Sequence, residues 1–338
     1  MRLNGKKIRL PDDVRQVENA ELREFLCEWF DERTYVIGHT SGSTGVPKEI
    51  RLSKAGMRAS ARMTNELFCL GSEAVLLLCL SVSYIAGKMM VVRALEAGAE
   101  LITGAVCSRP LRELGEGRSI DLAAMVPMQV EESMKHPDEK ARFGGIRQLL
   151  FGGAAVSPLL EKQLRDIPTA CYATYGMTET FSHVALRNMK EETVYSALKG
   201  VTFTVDQRGC LVVEAPHLHA GPLVTNDLVR LLDNCHFEWL GRYDHVINSG
   251  GIKFFPEAIE RKISFGLPRR FFIASRPDER LGQRIVLVLE GMPARAEEER
   301  QWIEKLKQVL TPYEMPKEFI YLARFYETST GKVIRRTE

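Results

Sequence analysis

The chain has 338 residues, with 46 Lys and Arg against 44 Asp and Glu, which gives a formal net charge of +2. This length favours two compact units, and a charge this balanced, with no long run of one sign, excludes a general affinity for nucleic acid. The start, MRLNGKKIRL, lacks an apolar signal core, and the apolar run from Ala74 to Leu80 is far shorter than the roughly 20 residues of a membrane span, so we expect a cytoplasmic protein without a membrane span.

The seven cysteines, at positions 27, 69, 79, 107, 171, 210 and 235, form no CxxC pair. Most of them stand in apolar stretches, which favours reduced core residues over disulfides or zinc ligands. The seven histidines show no ligand spacing such as HxxxH. The sequence therefore predicts neither a metal cluster nor a Cys/His catalytic pair.

The first conspicuous segment is a loop rich in hydroxyl groups, HTSGSTGVPKEI, at residues 39–50. Its glycines allow backbone N–H groups to turn inward, its Ser and Thr residues add donors, and Lys48 adds a positive charge, a combination that suits a polyphosphate. The pattern differs from the GxxxxGK[ST] loop, because Pro47 precedes the lysine and Glu49 follows it. By itself such a stretch is more often an ordinary loop, so its meaning depends on the rest of the chain.

Short apolar runs alternate with helix-like stretches between Glu73 and Leu240, which predicts an α/β sheet protein. One predicted helix covers Gly87 to Ala97. Further on, Gly152-Gly153 follows an apolar run and precedes Ser157-Pro158, where a helix is expected to begin.

The pattern changes after Asp244. A turn and a helix come first, strands follow in RRFFIAS and RIVLVLE, and an amphipathic helix is predicted from Ala296 to Leu310. We therefore predict one domain over residues 1–243 and a small α+β domain over residues 244–338.

Five segments occur in a fixed order: TSGSTGVPK (40–48), YGMTE (175–179), ND (226–227), GRYDHVINSGGIKFFPEAIE (241–260) and STGKVIRR (329–336). As a set they resemble the adenylate-forming superfamily, which includes acyl-CoA synthetases, luciferases and peptide-synthetase adenylation domains. The resemblance runs from about Tyr35 to the end and implies a large N-terminal domain followed by a small mobile C-terminal one. Relatives usually carry a longer segment before the phosphate loop, so we expect a trimmed N-terminal domain here.

The resemblance implies ATP, Mg²⁺ and CoA as ligands and assigns roles residue by residue. Tyr175 is expected to stack on adenine, Thr178 to contact the α-phosphate, and Glu179 to bind Mg²⁺. Asp227 matches the carboxylate that binds the ribose hydroxyls, and Arg242 matches an arginine on ribose or phosphate. The full set assigned to the nucleotide and its metal is Thr40, Ser41, Gly42, Ser43, Thr44, Gly45, Lys48, Gly152, Gly153, Ala154, Tyr175, Gly176 (which permits close approach), Thr178, Glu179, Asp227 and Arg242.

Lys332 matches the lysine that serves adenylate formation. Attack of a carboxylate on the α-phosphorus brings two anions together, so a cation at that point lowers the barrier electrostatically. In relatives the small domain rotates at a hinge, here Asp244, and presents another surface to the thiol. Gly250 and Gly251 lie on that surface, where they would let the pantetheine arm of CoA pass close to the backbone, and an ordinary glycine hairpin is the alternative.

Residues 80–99, LSVSYIAGKMMVVRALEAGA, resemble the family segment that lines the acyl pocket, with Tyr84 in place of a common histidine. Lys88 and Arg93 would be buried on the helix of this segment, and a buried cation requires an anion. That anion is either a protein carboxylate such as Glu96 or a second carboxylate on the substrate.

Within the superfamily, the chain resembles the o-succinylbenzoate-CoA ligases, which act on an aromatic diacid of menaquinone biosynthesis. Arg93 falls where that group carries a basic residue for the carboxylate that is not activated. The residues expected to bind the acid are Tyr84, Lys88, Arg93, Ser182 and His183.

The resemblance thus implies an AMP-forming acid:CoA ligase with a small-molecule carboxylic acid as substrate. Two alternatives remain open: a ligase for another aryl or short acyl acid, and a nucleotide-binding regulator without catalysis. Retention of Lys332, Glu179 and Asp227 together argues against the regulator. The sequence leaves the oligomeric state open.

Overall fold

The structure, a computed structural model, describes residues 1–40, 48–115, 117–154, 156–264, 266–327 and 333–338, without the side chains of residues 39, 40, 48 and 158. The chain divides into two compact units. The first comprises Met1–Val156, Leu160–Thr202 and Glu214–Pro222, and the second comprises Ser157–Leu159, Phe203–Val213 and Leu223–Glu338. The domain boundary after residue 243 remains a prediction.

The first unit contains eleven strands and six helices among its described residues. The strands are β1 (Arg2–Leu3), β2 (Lys6–Lys7), β3 (Tyr35–Thr40), β4 (Lys48–Ser53), β5 (Val75–Leu78), β6 (Glu100–Thr103), β7 (Ile120–Met125), β8 (Ile146–Phe151), β9 (Ala170–Gly176), β10 (His183–Asn188) and β11 (Tyr195–Ala197). The helices are α1 (Ala20–Phe30), α2 (Lys54–Leu67), α3 (Ile85–Ala97), α4 (Pro127–Met134), α5 (Pro137–Arg142) and α6 (Pro158–Leu164).

The main sheet of this unit has the strand order β11-β10-β9-β8-β7-β5-β6-β1-β2. Strands β5 to β9 run parallel to their neighbours, and β10 runs antiparallel to β9. The parallel strands are nearly continuous in apolar residues, as expected when both faces of a sheet are covered, and Leu77, Leu149 and Phe151 belong to the core beneath them. The carboxyl ends of these strands and the amino end of β10 therefore share one edge of the sheet.

The second unit contains the remaining elements: β12 (Thr202–Val205), β13 (Cys210–Glu214), β14 (Leu223–Leu231), β15 (His236–Arg242), β16 (Ile247–Ser249), β17 (Ile252–Phe254), α7 (Pro256–Ile263), β18 (Phe271–Asp278), β19 (Gly282–Glu290), α8 (Ala296–Val309), β20 (Glu318–Leu322), β21 (Tyr326–Glu327) and β22 (Val333–Ile334). Strands β12 to β15 are neighbours in sequence order, and a second sheet has the order β17-β16-β19-β18 with β20 beside β19. Side chains alternate across β18, so that Ile273 packs with Ile259 of α7 and Trp302 of α8, whereas Phe272 packs with Phe325 in a separate cluster.

The α/β class and the predicted elements are confirmed. The helix predicted from Gly87 begins two residues earlier as α3, the helix predicted to Leu310 ends at Val309 as α8, and α6 begins at Pro158 as expected. The two apolar runs of the C-terminal region form β18 and β19. None of the described helices is both long and apolar enough to span a bilayer.

The cysteines are all free thiols, as predicted, but they are not all core residues. Only Cys79, Cys171 and Cys210 are buried, whereas Cys27, Cys69 and Cys107 are exposed. Cys27 illustrates the reason, because it lies on amphipathic helix α1, where apolar neighbours in sequence face the opposite side.

Candidate active site

The carboxyl ends of β8 and β9 bring two groups of predicted nucleotide residues, 152–154 and 175–179, to one edge of the main sheet of the first unit. Strand β8 leads directly into Gly152, Gly153 and Ala154, and β9 leads into the 3-10 turn Thr178–Thr180. Gly153 has a φ of +82°, which favours glycine at that position. Parallel α/β sheets bind ligands outside the carboxyl ends of their strands, so this is the edge where a ligand is expected.

The predicted phosphate loop joins the antiparallel strands β3 and β4, in which Thr40 lies directly opposite Lys48. The two ends of the loop are therefore fixed at neighbouring backbone positions. Ser41, Gly42, Ser43, Thr44 and Gly45 lie outside the described residues, as do the side chains of Thr40 and Lys48. Their phosphate-binding role stays a prediction.

Gly176 is required by the protein itself. A Cβ at this position would lie 2.2 Å from the carbonyl oxygen of Ser182, so only glycine lets the end of β9 approach β10. The preceding Tyr175 is buried and meets the ring of Tyr195 edge-on, with 6.0 Å between the ring centres. Gly176 thus has a structural requirement of its own, whereas the close approach of the nucleotide to Gly176 and the stacking of Tyr175 on adenine stay predictions.

The turn Thr178–Thr180 presents the predicted magnesium ligand. The buried Thr180 closes the turn, because its hydroxyl oxygen accepts a hydrogen bond from the N–H of Met177 at 2.9 Å. The neighbouring Glu179 is exposed. No group of three His, Cys, Asp or Glu side chains that could hold a metal by itself occurs in the described part of the chain. A single carboxylate combined with substrate phosphates is a usual binding mode for Mg²⁺, so Glu179 fits the predicted ion.

Three predicted residues meet within the second unit. Asp227 and Arg242 are direct partners across β14 and β15, with 3.7 Å between Oδ1 and Nη1. Arg242 also donates to both carboxylate oxygens of Asp244, at 3.0 and 3.3 Å. Partial burial acts to raise the pKa of Asp244, but the hydrogen bond from Arg242, a backbone hydrogen bond and the charges of Arg242 and His245 together outweigh it, and the pKa is lowered. The predicted hinge carboxylate is therefore held by the predicted nucleotide arginine.

Gly250 and Gly251 form the two-residue turn between β16 and β17, in which Ser249 lies opposite Ile252. Their φ angles are +59° and +81°, the pattern of a type I′ hairpin. The hairpin turn named as the alternative is therefore present, and a contact with CoA stays a prediction.

Lys332 lies outside the described residues, but the chain on both sides of it is held. Strands β21 and β22 pair, with Glu327 opposite Val333. Arg335 then donates to Glu260 Oε2 and to the carbonyl oxygen of Ile273, each at 2.9 Å. The segment that carries Lys332 thus begins and ends on fixed backbone.

Within the predicted acyl-pocket segment, residues 80–99, Tyr84 immediately precedes α3 and is 37% exposed. One turn into the helix, Lys88 Nζ lies 3.5 Å from Glu28 Oε2 and 4.5 Å from the centre of the Phe25 ring. Burial lowers the pKa of Lys88, and the charge of Glu28 opposes this shift. A protein carboxylate therefore satisfies this cation.

Arg93 is buried without such a partner. It is 2% exposed, its Nη2 donates to Ser182 Oγ at 2.5 Å, and its Nε has no hydrogen-bond partner in the part of the chain that the structure describes. No carboxylate of a described residue lies within 4.0 Å of its guanidinium. Burial lowers the pKa of Arg93 to about 10, so the side chain is still a cation at neutral pH. The alternative that Glu96 is its partner is wrong, because Glu96 accepts hydrogen bonds from Arg58 and Arg62 of α2 instead.

A chain of hydrogen bonds leads from Arg93 to helix α2. Burial, reinforced by the positive charge of Arg93, holds the pKa of His183 well below its usual value, so the ring is neutral and carries one N–H. The Thr64 hydroxyl donates to the carbonyl oxygen of Ser60 at 3.3 Å, and we therefore assign the ring proton to His183 Nε2, which donates to Thr64 Oγ1 at 3.1 Å. His183 Nδ1 then accepts from the Ser182 hydroxyl at 3.3 Å. The oxygen of Ser182 is left to accept from Arg93.

Phe181, just before this chain of hydrogen bonds, has an unusual backbone. Its φ and ψ are +62° and −37°, and the N–H of Ser182 donates to the carbonyl oxygen of Thr180 at 2.7 Å. These features describe a classic γ-turn, which is rare, and a positive φ in a bulky residue costs on the order of 1–3 kcal/mol. The surrounding structure must therefore hold this conformation.

Sequence reasoning missed four residues around these side chains: Glu28, Thr64, Phe181, and Gly56 of α2, at which a Cβ would lie 2.3 Å from the Phe181 ring. Glu28 and Thr64 come from helices distant in sequence, and nothing local links them to Lys88 or His183. Gly56 did carry a signal, because a glycine inside an amphipathic helical stretch usually has a packing reason.

The chain is similar to several known proteins. A family model described as AMP-binding enzyme matches residues 10–217. The chain is 23% identical over 328 residues to 2-succinylbenzoate–CoA ligase of Lactococcus lactis subsp. lactis, covering 90% of this chain and 71% of that protein. It is 25% identical over 333 residues to indoleacetate–CoA ligase of Aromatoleum aromaticum, covering 88% and 65%.

A solved structure with 36% identity is also similar, with a TM-score of 0.64 over 94% of this chain and 93% of the other. It is an acyl-CoA synthetase (AMP-forming)/AMP-acid ligase II-like protein from Dyadobacter fermentans.

Proposed function

This chain belongs to the AMP-binding enzyme family, and we propose that it is an AMP-forming acid:CoA ligase whose acid is the aromatic dicarboxylate o-succinylbenzoate. In the first half-reaction, a carboxylate oxygen of the acid attacks the α-phosphorus of ATP, forming an acyl-adenylate and releasing pyrophosphate. In the second, the thiol of CoA attacks the acyl carbonyl, forming the thioester and releasing AMP. The similarity to a 2-succinylbenzoate–CoA ligase supports this reaction.

The observation that carries the choice of acid is the buried Arg93. A charge removed from water needs an anionic partner, and no described protein carboxylate lies within salt-bridge distance of this guanidinium. Lys88, the other cation of the helix, already has Glu28. We therefore assign the second carboxylate of the substrate to Arg93 and Ser182, and we assign to Lys88 the structural role of holding α1 against α3.

The adenylation groups follow from the resemblance. Lys332 supplies the cation that offsets the charge of the attacking carboxylate and the phosphate, and Thr178 contacts the α-phosphate. Thr40 to Lys48 hold the outer phosphates, and Tyr175 with Gly152 to Ala154 binds adenine. Asp227 and Arg242 bind the ribose side of the nucleotide in the second unit.

Mg²⁺ and CoA complete the reaction. Glu179 would hold Mg²⁺ together with phosphate oxygens, and the ion would neutralise charge on the departing pyrophosphate. For CoA, the hairpin of Gly250 and Gly251 offers backbone that a pantetheine arm can approach closely. We place the reaction in the cytoplasm, as the sequence predicts.

A substrate comparison tests the proposal. The purified protein is supplied with ATP, Mg²⁺ and one of three acids: o-succinylbenzoate, its analogue in which the second carboxylate is an amide, or indole-3-acetate. ATP–pyrophosphate exchange reports the first half-reaction, and CoA thioester formation reports the second. We expect the diacid to exceed the amide by roughly tenfold or more in kcat/KM, from the charge-assisted hydrogen bonds that only a carboxylate accepts.

The outcomes separate the alternatives. Equal use of the diacid and the amide would reject the second-carboxylate role, and preference for indole-3-acetate would favour a ligase for an aryl monoacid. A protein that binds ATP but shows no exchange with any acid would be the regulator without catalysis.

A further inference from the structure

The γ-turn at Phe181 joins the predicted nucleotide residues Thr178 and Glu179 to the acid residues Ser182 and His183. The Thr180 hydroxyl bridges the backbone on both sides of the turn. Its oxygen accepts a hydrogen bond from the N–H of Met177 and lies 2.7 Å from the carbonyl oxygen of Ser182. The ring of Phe181 is buried, with 6% exposed. A positive φ is unfavourable for a phenylalanine. The packing of the Phe181 ring must therefore stabilise the turn.

The ring is seated on Gly56, in the first turn of α2. A Cβ at Gly56 would lie 2.3 Å from both Cε2 and Cζ of Phe181. The ring in this position therefore leaves no room for a side chain at position 56. Helix propensity alone would favour alanine at this position. The glycine is therefore explained by the ring that covers it.

Helix α2 also contacts residues 181–183 at a second point. Two turns further along the helix, Thr64 accepts the hydrogen bond of His183 Nε2. Residues 181 and 183 are thus both fixed to α2, and Ser182 between them is directed to Arg93 of α3. Asn65 of α2 also donates to the carbonyl oxygen of Arg93 at 3.0 Å. Both residues of the Ser182–Arg93 hydrogen bond are therefore positioned by contacts with α2.

We propose that Gly56 and Phe181 are specificity-determining positioning residues: their close packing sets the place at which Ser182 Oγ holds the guanidinium of Arg93, and hence the place of the second carboxylate. Neither residue touches the acid. This inference rests on the proposed function, since it assumes that Arg93 receives a carboxylate. It adds that the selectivity for a diacid depends on a glycine outside the pocket.

The test is a cycle of Gly56→Ala, Phe181→Leu and the double variant, with Gly71→Ala as the matched control. Gly71 has nothing within 4 Å of its Cβ position. The measured quantity is the ratio of kcat/KM for o-succinylbenzoate to that for its amide analogue, in ATP–pyrophosphate exchange. We expect each single variant to lower the ratio about three- to tenfold with little change in the KM for ATP, and the double variant to recover most of it, because the smaller side chain makes room for the new Cβ.

A second readout needs no substrate. In protein labelled with ¹⁵N-histidine, the ring nitrogens of His183, identified with a His183→Gln sample, should shift in both single variants and return toward the wild-type position in the double variant. Gly71→Ala should leave both readouts unchanged.

The results distinguish failure of the inference from failure of the proposed function. If wild type does not prefer the diacid, the proposed function fails, and the ring resonances still report whether Gly56 positions His183. If wild type prefers the diacid and a folded Phe181→Leu variant retains the full preference, the inference is wrong. Unchanged His183 resonances in the single variants, or no recovery in the double variant, would overturn it as well. Should Gly56→Ala alone fail to fold, Phe181→Leu and the double variant still decide the question.

Discussion

Replacement of Arg93 by leucine separates a substrate-binding cation from a structural one. A charge-assisted hydrogen bond to a desolvated carboxylate contributes about 1.5–3 kcal/mol, so Arg93→Leu should lower kcat/KM for o-succinylbenzoate roughly ten- to a hundredfold. The amide analogue should lose much less. Arg93→Lys should recover only part of the loss, because an ammonium ion cannot reproduce the planar guanidinium fork.

The same variant makes a prediction about stability. Arg93 is buried, and among the described residues its Nε has no hydrogen-bond partner and no carboxylate lies within 4.0 Å of its guanidinium, so in the free protein its charge carries a desolvation cost that leucine removes. The lost packing of the longer side chain acts in the opposite direction. We therefore expect the Tm of the free protein to change by no more than about 3 °C.

Lys88→Leu is the matched comparison on the same helix. It removes the nearer cation of Glu28, whose side chain is 18% exposed, and leaves Arg33 Nη2 at 4.0 Å, so it should cost up to about 3 kcal/mol of stability while preserving the ratio of diacid to amide. Differential scanning calorimetry and ATP–pyrophosphate exchange provide the two readouts. The reasoning is refuted if Arg93→Leu lowers the Tm strongly and affects every acid alike, or if the diacid preference disappears in Lys88→Leu instead.

Three further predictions concern the remaining groups. Lys332→Ala should slow adenylate formation about 10²–10³-fold, because the charge of Lys332 serves only the first half-reaction. Thioester formation from preformed acyl-adenylate should stay nearly intact. Equal losses in the two half-reactions, measured separately, would contradict this role. Asp244→Pro should preserve pyrophosphate exchange and impair CoA thioester formation, because a fixed φ obstructs rotation at the hinge, and normal CoA ligation would place the hinge elsewhere. The folded-state pKa of His183 lies below its unfolded value near 6.5, so the unfolded chain takes up a proton at a higher pH than the folded protein does. The contribution of His183 to stability is therefore fully present above pH 6.5 and decreases as the pH falls below that value. Urea unfolding at pH 7.5 and 5.5 should show this loss reduced in His183→Gln, and an equal loss in both proteins would mean that His183 is not held neutral.

Helices and strands whose signal lies within one continuous stretch of sequence were predicted well. The helix-like segment from Gly87 to Ala97 indicates a helix, which begins at Ile85, and the apolar runs at β18 and β19 indicate strands, because each pattern lies within one continuous stretch of chain. The family motifs also located Asp227 and Arg242, which pair across β14 and β15. Their own spacing of fifteen positions gave no sign of that pairing.

Partners distant in sequence could not be predicted. The sequence placed Glu96 near Arg93 because the two are three positions apart, yet Glu96 binds Arg58 and Arg62 of α2. Likewise, Lys88 binds Glu28, which lies sixty positions earlier on another helix. Which carboxylate satisfies which cation depends on how helices pack, and no periodicity within one helix contains that information.

The acid-binding residues that we propose, and the residues that position them, come from two short pieces of chain: residues 54–97 with the helices α2 and α3, and the tripeptide at 181–183. For protein engineering these pieces form a single transplantable cassette. A graft of α3 alone would carry Arg93 into a new host but leave behind the helix that aligns Ser182 and His183, and the guanidinium would lose its orientation. An exchange of both pieces together would keep the alignment, so we expect it to transfer the proposed acid selectivity to a related ligase that retains its own nucleotide residues.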